Sequence, residues 1–385
     1  MKAAIMGYGT IGSGVYEVLD KNCKSVEKKA GEPIEVKYIL DLREFPGSPV
    51  EKLVIHDVEQ IVNDPEIGIV VETMGGTKPA YEFVKRCLFA GKHVVTSNKA
   101  LVAAHGTELI RIAAEKNISF LFEASVGGEE ILEISGILNG TTNYILTKMN
   151  EEGWSFEEAL KRAQELGYAE RNPEADIEGY DTCRKIAILT AVATGKEVNY
   201  EEIPTQGITK ITSMDSSYAA HMGAAIKLFG KDGKIYLEVA PVLVDAKDPL
   251  YAVTDVFNGI LVVGNMLGAS MFYGSGAGKL PTASAVVGDM ISAVRFGDEP
   301  EKIGWSSEKL EVHPAAELSR KYFARFEGSE RAKKEAVAAA FGDVKFVTLE
   351  GTDEFAVLTG EMTGEEFDSA AAKVGGLRQK IAARL

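Results

Sequence analysis

The sequence predicts an α/β protein built on a doubly wound parallel sheet, followed by an α+β region and a smaller βαββα tail. Three observations predict it. A glycine-rich turn separates an apolar strand from an apolar helix at the front of the chain. Strands and helices then alternate as far as residue 122, the pattern of a parallel sheet covered on both faces. The composition is that of an ordinary globular protein, with 385 residues, 45% hydrophobic and 26% charged. At roughly 150 residues per domain that length gives two or three domains.

The elements follow in order. Residues 2–6 (KAAIM) read as a short buried strand, and residues 13–19 as a helix. Between them lies Gly7-Tyr8-Gly9-Thr10-Ile11-Gly12. In a GxGxxG turn so placed, the first glycine permits the tight turn, the second admits a pyrophosphate against the backbone, and the third lets helix pack on strand. The helix then offers free N–H groups and the positive end of its dipole to the phosphates. Thr10 and Ile11 join the glycines as candidate contacts, and the unit reads as a Rossmann-type dinucleotide-binding sheet. A second strand, 34–40 (IEVKYIL), ends at Asp41, with Arg43 two residues on. An acidic residue there suits the ribose 2′-OH of NAD, whereas an Arg suits the 2′-phosphate of NADP. NAD and NADP both stay open, and Asp41 is equally readable as a solvated loop carboxylate. Residues 67–72 (IGIVVE) form an apolar run fit for a strand buried on both faces. A turn with Thr73, Gly75 and Gly76 follows, then a helix over 79–90, a strand over 93–96, a turn from Ser97 to Ala100 containing Lys99, a helix over 106–116 and a strand over 119–122. Ligands of such sheets sit off the carboxyl ends of the strands, where Thr73, Gly75, Gly76, Ser97 and Lys99 fall.

The charge balance excludes several classes. Net charge is −15, which argues against a nucleic acid partner, since that needs a basic face. Cys23, Cys87 and Cys183 lie far apart without a CxxC, so no disulfide framework or structural zinc is expected. The five histidines form no HxH or HExxH pair, so no histidine-held transition metal is expected. Glycines interrupt the apolar start and no cleavage site follows, so no signal peptide is expected and the chain reads as cytoplasmic. Residues 256–273 run 18 positions without a charge, but include Asn258, Asn265, Gly259, Gly264 and Gly268. They read as a buried helix or strand and not as a membrane span.

In the second half, 155–167 (SFEEALKRAQELG) reads as a helix with an acidic first turn and a glycine stop. The loop 168–179 carries Glu170, Glu174, Asp176 and Glu178, and a helix starts near Tyr180. Asp181 and Lys185 are i and i+4 and share a face. They suit either a clamp for a substrate ammonium beside a proton donor or a surface ion pair worth about 0.3–0.5 kcal/mol.

From residues 97–101 (SNKAL) onward the sequence resembles homoserine dehydrogenase. The resemblance grows through 123–128 (EASVGG), 136–143 (GILNGTTN), 167–170 (GYAE), 181–185 (DTCRK), 273–278 (YGSGAG) and 281–284 (PTAS), in order, and covers the chain to about residue 320. It implies interconversion of L-homoserine and L-aspartate 4-semialdehyde by hydride transfer with NAD or NADP, within threonine, methionine and isoleucine biosynthesis. It also implies roles. Lys185 stands beside the reacting oxygen, and Lys99 is its proton-transfer partner. Asp181 lies near the reacting hydroxyl, while Glu170, Asp176, Thr141 and Gly140 contact substrate. Gly274 and Gly276 belong to a second glycine loop over the cofactor. Glu123, with the carbonyls of Val126 and Gly128, would hold a structural sodium or potassium ion. The implied organisation is a nucleotide-binding domain over 1–128, to which 282–318 returns, a substrate-binding and dimerisation domain over 129–281, and a tail over 319–385. A homodimer or higher homo-oligomer is implied, with 256–273 in the central sheet or the interface.

The chain departs from that family twice. After Gly128 it runs straight into 129–136 (EEILEISG), where the family has an Ile-Pro segment, a helix and a strand. This opens the alternative of a catalytically impaired nucleotide-binding regulator. An intact Lys99 and Lys185 argue against it. The tail resembles an ACT-type regulatory domain lacking its last strand, with residues 365–385 read as a terminal helix. Its Asp-x-Pro-Gly turn is replaced by Ser329-Glu330-Arg331, so the tail is expected to support oligomerisation or to fold as an appendage.

Overall fold

The structure, a computed structural model, describes residues 1–122, 131–233, 236–265, 268–296, 305–312 and 314–385. It divides into two compact units. One comprises Met1–Gly127, Ala187–Val198 and Ala277–Leu310; the other comprises Gly128–Ile186, Asn199–Gly276 and Glu311–Leu385.

In the first unit, among the described residues, strands β1 (Lys2–Met6), β2 (Glu35–Leu40), β3 (Val54–Ile55), β4 (Ile67–Glu72), β5 (His93–Thr96) and β6 (Phe120–Leu121) form one sheet in the order β3-β2-β1-β4-β5-β6. Every pairing is parallel. This is the doubly wound order expected of a Rossmann-type unit. The period of two along β1 shows why both faces are covered. Ala3 and Ile5 enter one core with Val15, Leu19, Val286 and Met290, while Ala4 and Met6 enter another with Val84, Leu101 and Leu109. The helices Thr10–Lys21 and Lys279–Arg295 therefore cover one face, and Ala80–Phe89 and Lys99–Lys116 the other. The Lys99–Lys116 helix starts earlier than the sequence suggested. Asn98 caps it by accepting the Leu101 N–H at 3.1 Å, so the expected turn at Ser97 to Ala100 is helix entry.

In the second unit the sheet comprises β7 (Ile131–Ile137), β8 (Ala224–Gly233), β9 (Tyr236–Asp245), β10 (Phe257–Gly264), β11 (Gly268–Ser275), β12 (Lys321–Glu327), β13 (Lys345–Val347), β14 (Glu354–Leu358) and β15 (Leu377–Arg384). Their order, among the described residues, is β11-β10-β7-β8-β9-β15-β12-β14-β13. The uncharged 256–273 stretch supplies the β10–β11 hairpin at one edge. No helix among the described residues is long and apolar enough to cross a membrane. The 155–167 helix forms over Phe156–Glu165, with a reciprocal Ser155–Glu158 capping box and Gly167 at φ +77° after it.

The tail corrects the sequence reading. The helix expected over 365–385 stops at Val374, because Gly375 and Gly376 both take positive φ, at +68° and +71°. The remaining residues form β15, so the tail is βαββαβ and its last strand is present. Along β15 the buried positions are Ile381 and Ala383, two apart as a strand requires. The strand pairs antiparallel with β12 and parallel with β9, so the tail is sewn into the larger sheet and is not an appendage. Arg325 strengthens the seam. It is 6% exposed and ion-pairs with both Asp215 (2.7 Å) on the Ser213–His221 helix and Glu354 (2.6 Å) on β14.

Candidate active site

In the first unit a candidate nucleotide site lies at the carboxyl ends of β1, β2, β4 and β5. Gly7 has φ +94°, where only glycine is unstrained. A Cβ on Gly12 would fall 1.9 Å from the Gly7 carbonyl oxygen and 2.9 Å from Thr73 Oγ1. Gly12 is thus fixed by helix-to-turn packing. A Cβ on Gly9 would meet nothing within 4 Å, so that glycine serves open space at the helix start. Ser13 N–H is the first in this helix bonded back, to Gly9 O at 3.0 Å. The preceding N–H groups of Thr10, Ile11 and Gly12 belong to the unsatisfied first turn. This cradle fits a dinucleotide pyrophosphate. Ile11 also sends its side chain into the core, whereas Thr10 is exposed. Thr73 Oγ1 donates to Gly7 O at 2.8 Å and locks the two loops together.

Asp41 and Arg43, which the sequence left in competition, form one unit. Asp41 accepts from the Tyr8 N–H (2.7 Å), the Arg43 N–H (3.0 Å), and Arg43 Nε and Nη2 (both 2.9 Å). The Arg43 guanidinium holds the Asp41 carboxyl well below the usual range. Arg43 itself is 61% exposed, donates to Tyr8 O and stacks over Phe45. Gly75 and Gly76 are exposed, and Ser97 and Lys99 are half-buried. Asn98, not singled out from sequence, donates to Gly76 O at 2.6 Å and Met74 O at 3.2 Å.

An acidic cluster is built in the second unit. Asp181 and Lys185 open the Tyr180–Thr194 helix, and Asp176 sits on the short Glu174–Ile177 helix before it. Lys185 Nζ is 2.5 Å from Asp181 Oδ2 and donates to Leu138 O at 2.6 Å. Asn139 Nδ2 donates to Asp176 Oδ1 (2.7 Å) and Asp181 Oδ2 (2.9 Å). Burial pushes the Asp176 carboxyl up, and nearby Asp181 and Glu170 add to this, while Asn139 and Lys185 oppose it. Glu170 is exposed. Asp181 and Asp176 beside one ammonium can hold a cationic group and deliver a proton to a neighbouring oxygen.

Sequence reasoning missed Asn139 as an organiser, although it lies inside the GILNGTTN motif. It also caps the Gly140–Glu151 helix by accepting the Thr142 N–H at 2.9 Å. Thr141 spends its hydroxyl proton on Tyr168 O at 2.6 Å, which ties the GYAE loop to the motif. Gly140 is set by packing, since a Cβ there would lie 2.6 Å from Val256 O. Gly276 is likewise closed, its Cβ falling 1.8 Å from Asn258 Nδ2, whereas Gly274 faces open space. Glu123, Val126 and Gly128, read as the holders of a sodium or potassium ion, lie outside the described residues, as does the junction after Gly128.

Residues 7–123 match the family model described as the homoserine dehydrogenase NAD binding domain, and residues 117–291 match that of homoserine dehydrogenase. A homoserine dehydrogenase of Synechocystis sp. is 40% identical, over 85% of this chain and 82% of its own length. That of Bacillus subtilis is 37% identical, over 77% and 73%. The crystal structure of the Thiobacillus denitrificans homoserine dehydrogenase superposes with a TM-score of 0.89 at 30% identity, covering 100% of this chain and 98% of that one. A hyperthermophilic archaeal homoserine dehydrogenase in complex with NADPH gives 0.65 at 26% identity, over 76% and 97%. With a dinucleotide-binding fold in one unit and a lysine–carboxylate cluster in the other, this oxidoreductase of CH–OH groups belongs to the homoserine dehydrogenase family.

Proposed function

We propose that the interconversion of L-homoserine and L-aspartate 4-semialdehyde runs on Lys185, Lys99 and Asp181. The observation that carries this is the Lys185 ammonium, bonded at once to Asp181 and to Leu138 O. An ammonium has three protons. Two are used there, and the third is offered to the substrate oxygen, where a fixed positive donor stabilises alkoxide character. Lys99, at the start of its helix, exchanges the proton with that oxygen. Glu170 and Asp176 hold the amino acid's ammonium, and Asn139 keeps Asp176 and Asp181 in place. Gly140 and Thr141 set the loop against which substrate lies. When bound, the nicotinamide takes hydride from the hydroxyl carbon or returns it. Gly7, Gly9, Thr10, Ile11 and Gly12 bind its pyrophosphate, with Thr73, Gly75, Gly76, Ser97, Gly274 and Gly276 lining its path. The direct test follows absorbance at the reduced-nicotinamide band with homoserine and either NAD or NADP. Homoserine-dependent turnover is expected, and its absence would favour a non-catalytic regulator.

The same reading selects NADP. Among the described residues, Asp41 already accepts four hydrogen bonds, the full capacity of a carboxylate. A ribose 2′-OH would have to displace one, whereas the exposed Arg43 guanidinium suits a 2′-phosphate. Arg43→Ala is expected to lower kcat/KM for NADP by about 10- to 100-fold, the scale of one charge-assisted contact. The value for NAD should stay level or rise as Asp41 is released. Equal losses with both cofactors would contradict this.

We also propose a homo-oligomer, most simply a dimer, that covers the β11 edge. Phe272 and Tyr273 on that strand are 59% and 57% exposed, and an open edge strand is a ready surface for pairing. Sedimentation at micromolar concentration should give a dimer or larger; a monomer would contradict it.

A further inference from the structure

Glu72 is the last residue of β4 and is fully buried, with 0% exposure. Among the described residues no lysine or arginine pairs with it. Its partners are instead hydrogen-bond donors of the two loops that follow β4 and β5. Oε1 accepts the Met74 N–H at 2.7 Å, Oε2 accepts the Thr96 hydroxyl at 2.6 Å, and the Asn98 amide adds a further contact. Burial pushes its carboxyl up to about 7. The chain thus keeps a carboxyl group where desolvation disfavours its charged form.

The contacts run on from there. Thr96 Oγ1 accepts the Asn98 N–H at 3.0 Å. Asn98 donates to Met74 O and Gly76 O and accepts the Leu101 N–H, which caps the helix that begins at Lys99. The Glu72 carboxylate, an acceptor when ionised, therefore faces donors from both loops. A glutamine that keeps the Met74 N–H on its oxygen must turn its N–H₂ to the Thr96 hydroxyl, which reverses that hydrogen bond and replaces a carboxylate acceptor by a neutral amide.

We infer that Glu72 is a positioning residue for hydride and proton transfer, fixing the 73–76 loop and the Lys99 helix start relative to each other. This rests on the reading that Lys99, Gly75 and Gly76 line the nicotinamide end of the site. Misplacing such groups by about 1 Å can cost roughly 100-fold in rate.

The test is Glu72→Gln in the full chain, with Thr96→Val and Lys99→Ala alongside. Thermal unfolding, NADPH binding by fluorescence, and kcat and KM for homoserine are measured on each. Glu72→Gln is expected to lower kcat by about 10- to 100-fold. Homoserine KM should stay within about twofold, because the carboxylates that hold substrate are untouched. Thr96→Val should lower kcat in the same direction, and it decides the matter if Glu72→Gln does not fold. An unchanged kcat per folded enzyme, or a fall in stability alone, would overturn the inference. If Lys99→Ala nevertheless removes turnover, the reading of the site stands without Glu72. If Lys99→Ala also leaves turnover intact, that reading fails as well.

Discussion

Lys185→Ala is expected to lower kcat by about 1,000-fold or more while NADPH binding stays within about twofold. Loss of one preorganised donor to a developing oxyanion costs about 2.7–4 kcal/mol, or roughly 100- to 1,000-fold, and loss of associated proton transfer adds to this. The structure gives a second reason. Lys185 is the cation that Asp181 meets at 2.5 Å, and it lowers the pKa of Asp176 against the effect of burial. Without it the Asp176 carboxyl loses a cation that holds its pKa down, and burial and Asp181 push it further up. Cofactor binding should persist because Gly7 to Gly12, Asp41 and Arg43 belong to the other compact unit. Initial rates at the reduced-nicotinamide band and equilibrium NADPH titration check both halves. Unchanged turnover would remove Lys185 from the mechanism.

Gly9→Val is expected to weaken NADPH binding by at least about 100-fold, the loss of phosphate contacts worth about 2.7 kcal/mol, with the fold intact. Gly9 has φ −80°, which any residue adopts, and its Cβ would meet nothing within 4 Å. The space it leaves is where a pyrophosphate must approach the helix start. Gly12→Ala is the contrasting variant. Its methyl would collide with the Gly7 carbonyl at 1.9 Å, so it should lower the melting temperature as well as binding. Thermal unfolding and NADPH titration on the pair separate ligand space from packing space. Normal binding by Gly9→Val would place the pyrophosphate elsewhere.

The sheet of the first unit was legible because its signals are local: a strand, a glycine turn and a helix in sequence, then apolar runs at parallel-strand length. The tail was only partly legible. Residues 377–384 (LRQKIAAR) are good helix formers, but two glycines at positive φ stop the helix, and β12 and β9 supply a ladder on either side. Pairing overrode propensity there. Ile381 and Ala383 did carry the strand period. At the site, the i,i+4 spacing of Asp181 and Lys185 was readable, and they are paired. The role of Asn139 was not, because its two carboxylate partners lie 37 and 42 residues away. The competing signals of Asp41 and Arg43 had no resolution in sequence, since only the side-chain geometry shows the acid already committed to the base.

The proposed mechanism requires the Lys99 and Lys185 ammonium groups to serve one substrate oxygen. A crystal structure of the enzyme with NADP and homoserine bound tests it most directly. Both Nζ atoms are expected within about 3.5 Å of the homoserine hydroxyl, directly or through one water. A hydroxyl bound with either lysine remote from it would contradict the mechanism.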